Sequence, residues 1–370
     1  MKYYLVAGEA SGDLHGANLM KELKKLDPEA EFRFFGGDLM QAEGGTLVKH
    51  YAEMAFMGFF EVAANLRAIL KNLAFCKLDI AYYHLDVLIL IDFPGFNLKI
   101  AAFAKENSLP VNYYISPKVW AWNQKRVLKI KKIVDHLFCI LPFEVDFYKE
   151  WGMEVDYVGN PLLDAVAAFK PDADFLQKNN LTGKKIIALL PGSRKQEINY
   201  LLPDIIAVAD QYPDYQFVIA GAPSFNADYY QQYLNGKQIP VLFNATYDIL
   251  SNAHAAIVAS GTATLETALF NVPQIVVYKG NPISIGIARV VIKIKFISLV
   301  NLIMNRGIVK ELIQGDCTPA TIGAELDLIL NDKNHRQTML ANYDELDEKM
   351  GSPGASAKTA ALIVKYAEKQ

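Results

Sequence analysis

Several short stretches hold most of the residues able to do chemistry, each where an apolar run gives way to a turn. IDFPGFN (91–97) sets Asp92 at the carboxyl end of the most apolar run, DVLILI, with Pro94 and Gly95 forcing a turn after it. A carboxylate at a strand end is where a general base is usefully placed. In LLPGSRKQE (189–197), Pro191 ends a strand, Gly192 and Ser193 turn, and Arg194 enters a helix. An arginine beside free helix-start amides can absorb the charge that develops on a diphosphate leaving group. VASGTATLE (258–266) places Ser260, Gly261 and Thr262 between a strand and a helix, where hydroxyls and amides converge on a phosphate. Glu266 has Ala263 three residues before it rather than Ser or Thr, which removes a capping box and leaves its carboxylate for ribose hydroxyls.

The turn VAGEASGDLHG (6–16) has the glycines of a phosphate loop but the wrong charges. Counted from Gly8, a dinucleotide fingerprint meets Ala10 and Asp13, and a Walker A loop meets Asp13-Leu14 where Gly-Lys is needed. Ser11 or Asp13 capping the following helix explains part of it, and leaves Glu9 and His15 without a task. Glu9, Ser11 and His15 are expected to bind sugar hydroxyls. No metal is expected: the one Asp-X-Asp, Asp172-Ala-Asp174, follows Pro171 and reads as a helix start, and no histidines have metal-binding spacing. No cofactor is implied.

These residues need rigid elements to hold them. KYYLVA, FRFFG, DVLILID, VNYYI and HLFCIL suit parallel strands covered on both faces, and KIIALL, QFVIAG, IPVLF, AAIVAS and QIVVYK restart the pattern. Two β/α series joined by a Pro-containing linker predict an α/β protein of two doubly wound domains, over 1–165 and 166–340. Helices over 341–370 are expected to pack back across them. Ligands of such sheets sit beyond the strands' carboxyl ends, here in a cleft between domains.

The 370 residues, 52% hydrophobic and 21% charged, describe a globular chain, and a net charge of −3 gives no reason to expect nucleic acid. Two acid-free basic runs point instead to phosphorylated ligands or anionic headgroups. One holds Lys118, Lys125, Arg126, Lys129, Lys131 and Lys132; the other holds Lys279, Arg289, Lys293, Lys295, Arg306 and Lys310. Three scattered cysteines, Cys76, Cys139 and Cys317, fit a reducing compartment. The N-terminal apolar run is too short for a signal peptide, and no window is expected to span a bilayer. MAFMGFFEVAANL (54–66) is apolar enough to hold an acyl chain or dip into lipid. Trp120 and Trp122 read as an aromatic pair beside the first basic run.

Taken in order, these stretches resemble the lipid-A-disaccharide synthase family of bacterial glycosyltransferases. The resemblance rests on AGEASGD (7–13), GG with MQAEG (36–44), MGFFEV (57–62), IDFPGFN, SPKVWAWNQKR (116–126), LPFE (141–144), LLPGSR, ASGTATLE and SLVNLI (298–303). It implies a GT-B fold, two Rossmann-like domains facing a cleft. It also implies inverting transfer of 2,3-diacylglucosamine from its UDP conjugate to 2,3-diacylglucosamine 1-phosphate, giving a β-1,6 disaccharide and UDP. On that basis Asp92 is the base, and Gly192, Ser193, Arg194, Ser260, Gly261 and Thr262 hold the diphosphate. Glu266 holds the ribose, while Asn301 and Glu311 are further donor contacts. The sugar hydroxyls bound by Glu9, Ser11 and His15 are those of the acceptor. The implied partners are the two acylated sugars and the cytoplasmic face of the inner membrane, bound peripherally, with a homodimer left open. Two rival readings are a UDP-sugar epimerase, which would turn over donor without acceptor, and a non-catalytic lipid-binding module, in which Asp92→Ala would change no activity.

Overall fold

The computed structural model describes residues 1–54, 66–181, 183–281 and 295–369. The apolar stretch MGFFEV (57–62) and the basic residues Arg289 and Lys293 lie outside them. The chain divides into one unit of residues 1–164 with 352–370 and another of residues 165–351.

The first unit is built on a seven-stranded parallel sheet among the described residues, ordered β3-β2-β1-β4-β5-β6-β7. The strands are β1 (Lys2–Ala7), β2 (Glu31–Gly36), β3 (Thr46–His50), β4 (Val87–Ile91), β5 (Val111–Tyr114), β6 (His136–Cys139) and β7 (Asp156–Tyr157). Side chains alternate between two cores, as the two-residue strand period requires. Tyr4, Val6, Leu88, Leu90 and Tyr113 face one, and Tyr3, Leu5, Ile89, Ile91 and Tyr114 face the other. Helices cover both faces, which is why these strands are apolar throughout rather than alternately.

The second unit repeats the plan with a six-stranded parallel sheet, ordered β10-β9-β8-β11-β12-β13 among the described residues. Its strands are β8 (Lys185–Leu190), β9 (Tyr215–Gly221), β10 (Val241–Phe243), β11 (Ala253–Ala259), β12 (Gln274–Tyr278) and β13 (Lys310–Ile313). The sequence runs foretell ten of these strands to within a residue or two. They miss β3, β7 and β13, which stand at sheet edges and are only partly buried, so their apolar pattern is weak.

In both sheets the strand order reverses beside the first strand of its series, between β1 and β4 and between β8 and β11. Such switch points are where doubly wound sheets bind ligands. Register there is tight: Ala7 pairs with Ile91 and Ile91 with Tyr114, while Leu190 pairs with Val258. Each turn singled out above therefore leaves its sheet beside another.

The C-terminal helices do not act as one element. Lys333–Met350 belongs to the second unit, where the Tyr343 hydroxyl accepts from Gln274 Nε2 at 3.3 Å. Ala355–Ala367 returns to the first, burying Ala360 and Ile363 in its core.

Candidate active site

In the first unit, the turn after β1 and the turn after β4 are locked together by one ring. A Cβ on Gly8 would lie 2.2 Å from Phe93, so only glycine lets that ring pack against the backbone. Asp92 and Phe93 both adopt left-handed backbone, with φ of 44° and 50°. Two consecutive non-glycine residues there are strained, and such strain persists only where neighbours over-determine it. Here the Asp92 carbonyl accepts from Tyr113 Oη at 2.6 Å and Asn97 Nδ2 at 2.9 Å. Asn97 is fully buried and also donates to the carbonyls of Val6 and Ile91, so it ties both strand ends to one helix.

The result is a half-buried carboxylate in a fixed place. Burial holds the Asp92 carboxyl above the usual aspartate range, the ammonium of Lys118 pulls it back down, and the Glu9 carboxylate pushes it further up. Glu9 thus acts on Asp92 through its charge. Ser11 is exposed in the first turn of the helix Ala10–Leu26.

Asp13 has another duty than the one expected from sequence. Neither Ser11 nor Asp13 caps its own helix, whose N-cap is Glu9 with no side-chain hydrogen bond. Asp13 is buried and accepts from the amides of Gly37 at 2.7 Å, Leu39 at 3.1 Å and Met40 at 3.1 Å. It caps the short helix Asp38–Ala42, some 24 to 27 residues on. A Cβ on Gly37 would meet Asp13 Oδ2 at 2.7 Å, which explains why GG and GEASGD occur together. The acidic residue that ruled out a phosphate loop is a structural cap. His15 sits edge-on to Tyr114 at 6.4 Å, and its buried Nδ1 has no hydrogen-bond partner among the described residues. Burial lowers its imidazole to about 4 against the pull of the Asp164 carboxylate, so it is neutral at neutral pH.

In the second unit, the PGSR turn after β8 carries its own anion. Glu197 Oε2 accepts from the amides of Ser193 and Arg194, both at 3.2 Å, and Oε1 accepts from the Arg194 guanidinium at 3.2 Å. The expected free amides are therefore occupied, because a glutamate at the third helical position reaches back to the helix start. Gly192 has a φ of +101°, and a Cβ there would lie 2.5 Å from the same carboxylate. The Arg194 side chain remains 76% exposed, so most of its donor fork is open to a ligand.

Beside it, Gly261 and Thr262 are exposed at the start of the helix Thr262–Leu269, which no side chain caps. Ser260 is already engaged, donating to the Ile297 carbonyl at 2.8 Å. Glu266 is not wholly free either: its Oε1 accepts from Tyr247 Oη at 3.0 Å, and burial raises its carboxyl above the usual range.

Asn301 and Glu311 are corrected outright. Asn301 is buried, donating to Val309 and Glu311 and accepting from the amides of Ile308 and Val309. Glu311 accepts from the amides of Ile297 and Ser298, the Ser298 hydroxyl and Asn301. Together they fold residues 297–311 and hold the carbonyl that fixes Ser260, so they shape the turn from behind instead of touching a donor. Asp172 likewise serves locally, accepting from the Asp174 amide and Lys178. Among the described residues no group of three or more His, Cys, Asp or Glu gathers as a metal site.

Sequence reasoning missed Glu197 and Glu144. Glu144 is fully buried and accepts from Ser116 Oγ at 2.5 Å, Trp120 Nε1 at 3.1 Å and the Leu141 amide at 3.1 Å. It joins the SPKVWAW and LPFE stretches, whose separate occurrence was the available signal. The tryptophans are not a buried pair: Trp120 packs edge-on against Phe143, while Trp122 is exposed with Arg126 over its ring at 4.8 Å.

The model of the lipid-A-disaccharide synthetase family matches residues 3–364. The chain belongs to that family. It is 39% identical to the lipid-A-disaccharide synthase of Syntrophus aciditrophicus, over 99% of this chain and 97% of the relative. With the synthase of Geobacter metallireducens the identity is 38% over the same shares. Members of the family are glycosyltransferases, and this chain is one, with the two parallel-sheet α/β domains of the GT-B class. Among solved structures, the UDP-GlcNAc 2-epimerase of Neisseria meningitidis aligns over 100% of both chains with a TM-score of 0.67 and 13% identity. That of Methanocaldococcus jannaschii gives a TM-score of 0.66 and 14% identity over 99% of this chain and 100% of that one. At such identity the likeness concerns fold alone.

Proposed function

We propose that this chain transfers 2,3-diacylglucosamine from its UDP conjugate to O6 of 2,3-diacylglucosamine 1-phosphate in a single inverting displacement. The observation that carries this reading is the half-buried Asp92 carboxylate, fixed at the β1/β4 switch point, where the charges of Lys118 and Glu9 act on it in opposite directions. O6 attacks the anomeric carbon opposite the diphosphate, its proton passes to Asp92, and the bond to UDP breaks. A carboxylate of raised proton affinity suits that proton transfer, and the Lys118 ammonium moderates the rise. The Arg194 guanidinium and the helix-start amides at Gly261 and Thr262 receive the leaving diphosphate. The remaining oxygen of Glu266 takes a ribose hydroxyl, and Glu9 with Ser11 receives acceptor hydroxyls. Purified protein given both substrates is expected to release UDP and a β-1,6 disaccharide in equal amounts and to leave donor unchanged when acceptor is omitted. A C2-epimerised donor formed without acceptor would overturn the proposal.

The acceptor-side placement of Glu9 has its own test. Removing its charge in Glu9→Gln lowers the proton affinity of Asp92, so the acid limb of kcat/KM is expected to move to lower pH with UDP affinity unchanged. A change confined to UDP affinity contradicts it.

The site of action is the surface of the inner membrane, on its cytoplasmic face. No helix among the described residues is long and apolar enough to cross a membrane. Two surfaces support a peripheral position. On the helix Leu66–Tyr83, Leu66, Leu70, Phe75, Leu78 and Tyr82 are each at least 45% exposed, while Leu73, Cys76 and Ile80 face the core. Asp79 fixes that orientation by accepting from Arg33 and Tyr4. The second surface is the basic run of 125–132, beside exposed Trp122 and with exposed Leu128, whose cations form no ion pair among the described residues. Apolar side chains flanked by unpaired cations suit anionic lipid. In the other basic run, Lys279, Arg306 and Lys310 pair with Asp204, Glu345 and Glu325, so three of its four described cations already have acidic partners.

A further inference from the structure

Lys118 is an exposed side chain on a short connection, yet its charge acts on Asp92 and opposes the rise in proton affinity that burial causes. The connection is strained where it leaves β5. Ile115 has a φ of 66°, a left-handed conformation that a β-branched residue adopts at real cost. Something must hold it. The Ile115 amide continues the sheet by donating to Phe138, and the Pro117 carbonyl accepts from Tyr148 Oη at 3.4 Å. The strongest restraint is Glu144, whose single oxygen Oε1 receives both Ser116 Oγ and Trp120 Nε1. These residues lie two before and two after Lys118. Hydrogen bonds to a buried carboxylate are short and strong, because the alternative is an unpaired charge in a poor solvent.

We infer that Glu144 is a positioning residue for transfer: by clamping Ser116 and Trp120 it aims the Lys118 ammonium at Asp92. The inference rests on Asp92 being the base. Glu144 itself does not reach the reacting atoms. Facing it are Ser116, Trp120 and the Leu141 amide, with Cys139, Tyr148 and Tyr157 nearby, none of them a cation. Burial lifts its carboxyl to about 7, against the pull of its hydrogen bonds. The charged groups acting on Asp92 are Lys118, which lowers its proton affinity, and Glu9, which raises it.

The test compares pH profiles of kcat/KM for wild type, Lys118→Met, Glu144→Ala and the double variant. With Lys118 removed or misdirected, Asp92 ionises at higher pH, so the acid limb is expected to move up by about half a unit or more in each single variant. The double variant should show no further shift, and the donor KM should stay within about two-fold of wild type. Glu144→Gln keeps an acceptor for Ser116 and Trp120 and is expected to leave the acid limb close to its wild-type position. Where Glu144→Ala fails to fold, Trp120→Phe removes one anchor and is expected to give a smaller shift of the same sign. An unmoved limb, or shifts that add in the double variant, overturns the positioning role. Asp92→Asn separates the two levels. If it is inactive while the limb in Glu144→Ala stays put, positioning alone fails; if it turns over normally, the base assignment has failed.

Discussion

Asp92→Asn is expected to lower kcat by about 10²-fold or more while UDP binding, followed by calorimetry, stays as in wild type. Asn removes the basic oxygen with almost no change of shape. It is also the substitution that the backbone tolerates, because Asn accepts the left-handed conformation found at a φ of 44° better than most residues. Alanine would confound lost chemistry with strain at a turn that Gly8, Phe93, Tyr113 and Asn97 hold from all sides. The donor site is expected to be untouched, since Arg194, Gly261 and Thr262 belong to the other unit. Turnover within about three-fold of wild type would remove Asp92 as the general base.

Asp13→Ala is expected to act on stability rather than chemistry. One carboxylate satisfies the amides of Gly37, Leu39 and Met40, two of these bonds being buried. Each buried donor left unpaired costs about 1–3 kcal/mol, so the substitution should remove on the order of 3–5 kcal/mol from the first unit. For a unit of this size that is on the order of a 10 °C fall in its melting temperature. Differential scanning calorimetry should show the transition of residues 1–164 falling with that of the second unit in place. Asp13→Asn, which keeps an acceptor, should lose less. An unchanged melting profile in Asp13→Ala would show that the cap contributes nothing.

Much of the site is legible in sequence because strand end, turn and helix start are joined by a few covalent bonds. IDFPGFN, PGSR and SGTATLE each state locally where a strand stops and which side chain stands at its end. Where the sequence reading erred, the deciding partner was remote or its geometry was unspecified. Glu197 looks like any helix-start glutamate until its carboxylate is found across the Ser193 and Arg194 amides. Asn301 and Glu311 look like exposed polar groups in a weakly patterned stretch, yet they satisfy one another and residues 297–309.

Sequence alone determined the two β/α series, most of their strands, the turns at the switch points and the family. Local continuity and the burial of both faces of a parallel sheet impose those patterns directly. Only the tertiary structure decided how the charges are spent. It paired Asp13 with amides beyond residue 36, set Glu9 and Lys118 to act oppositely on Asp92, and gave Lys279, Arg306 and Lys310 of one basic run acidic partners. Hydrogen bonds and ion pairs act over a few ångströms of space, and strand order, not chain separation, sets which groups come that close. The acidic turn at 6–16 shows both sides of this. Its residues exclude a phosphate loop by inspection, and only the fold reveals that Glu9 acts on the Asp92 carboxylate, Asp13 caps a helix and His15 lies edge-on to Tyr114.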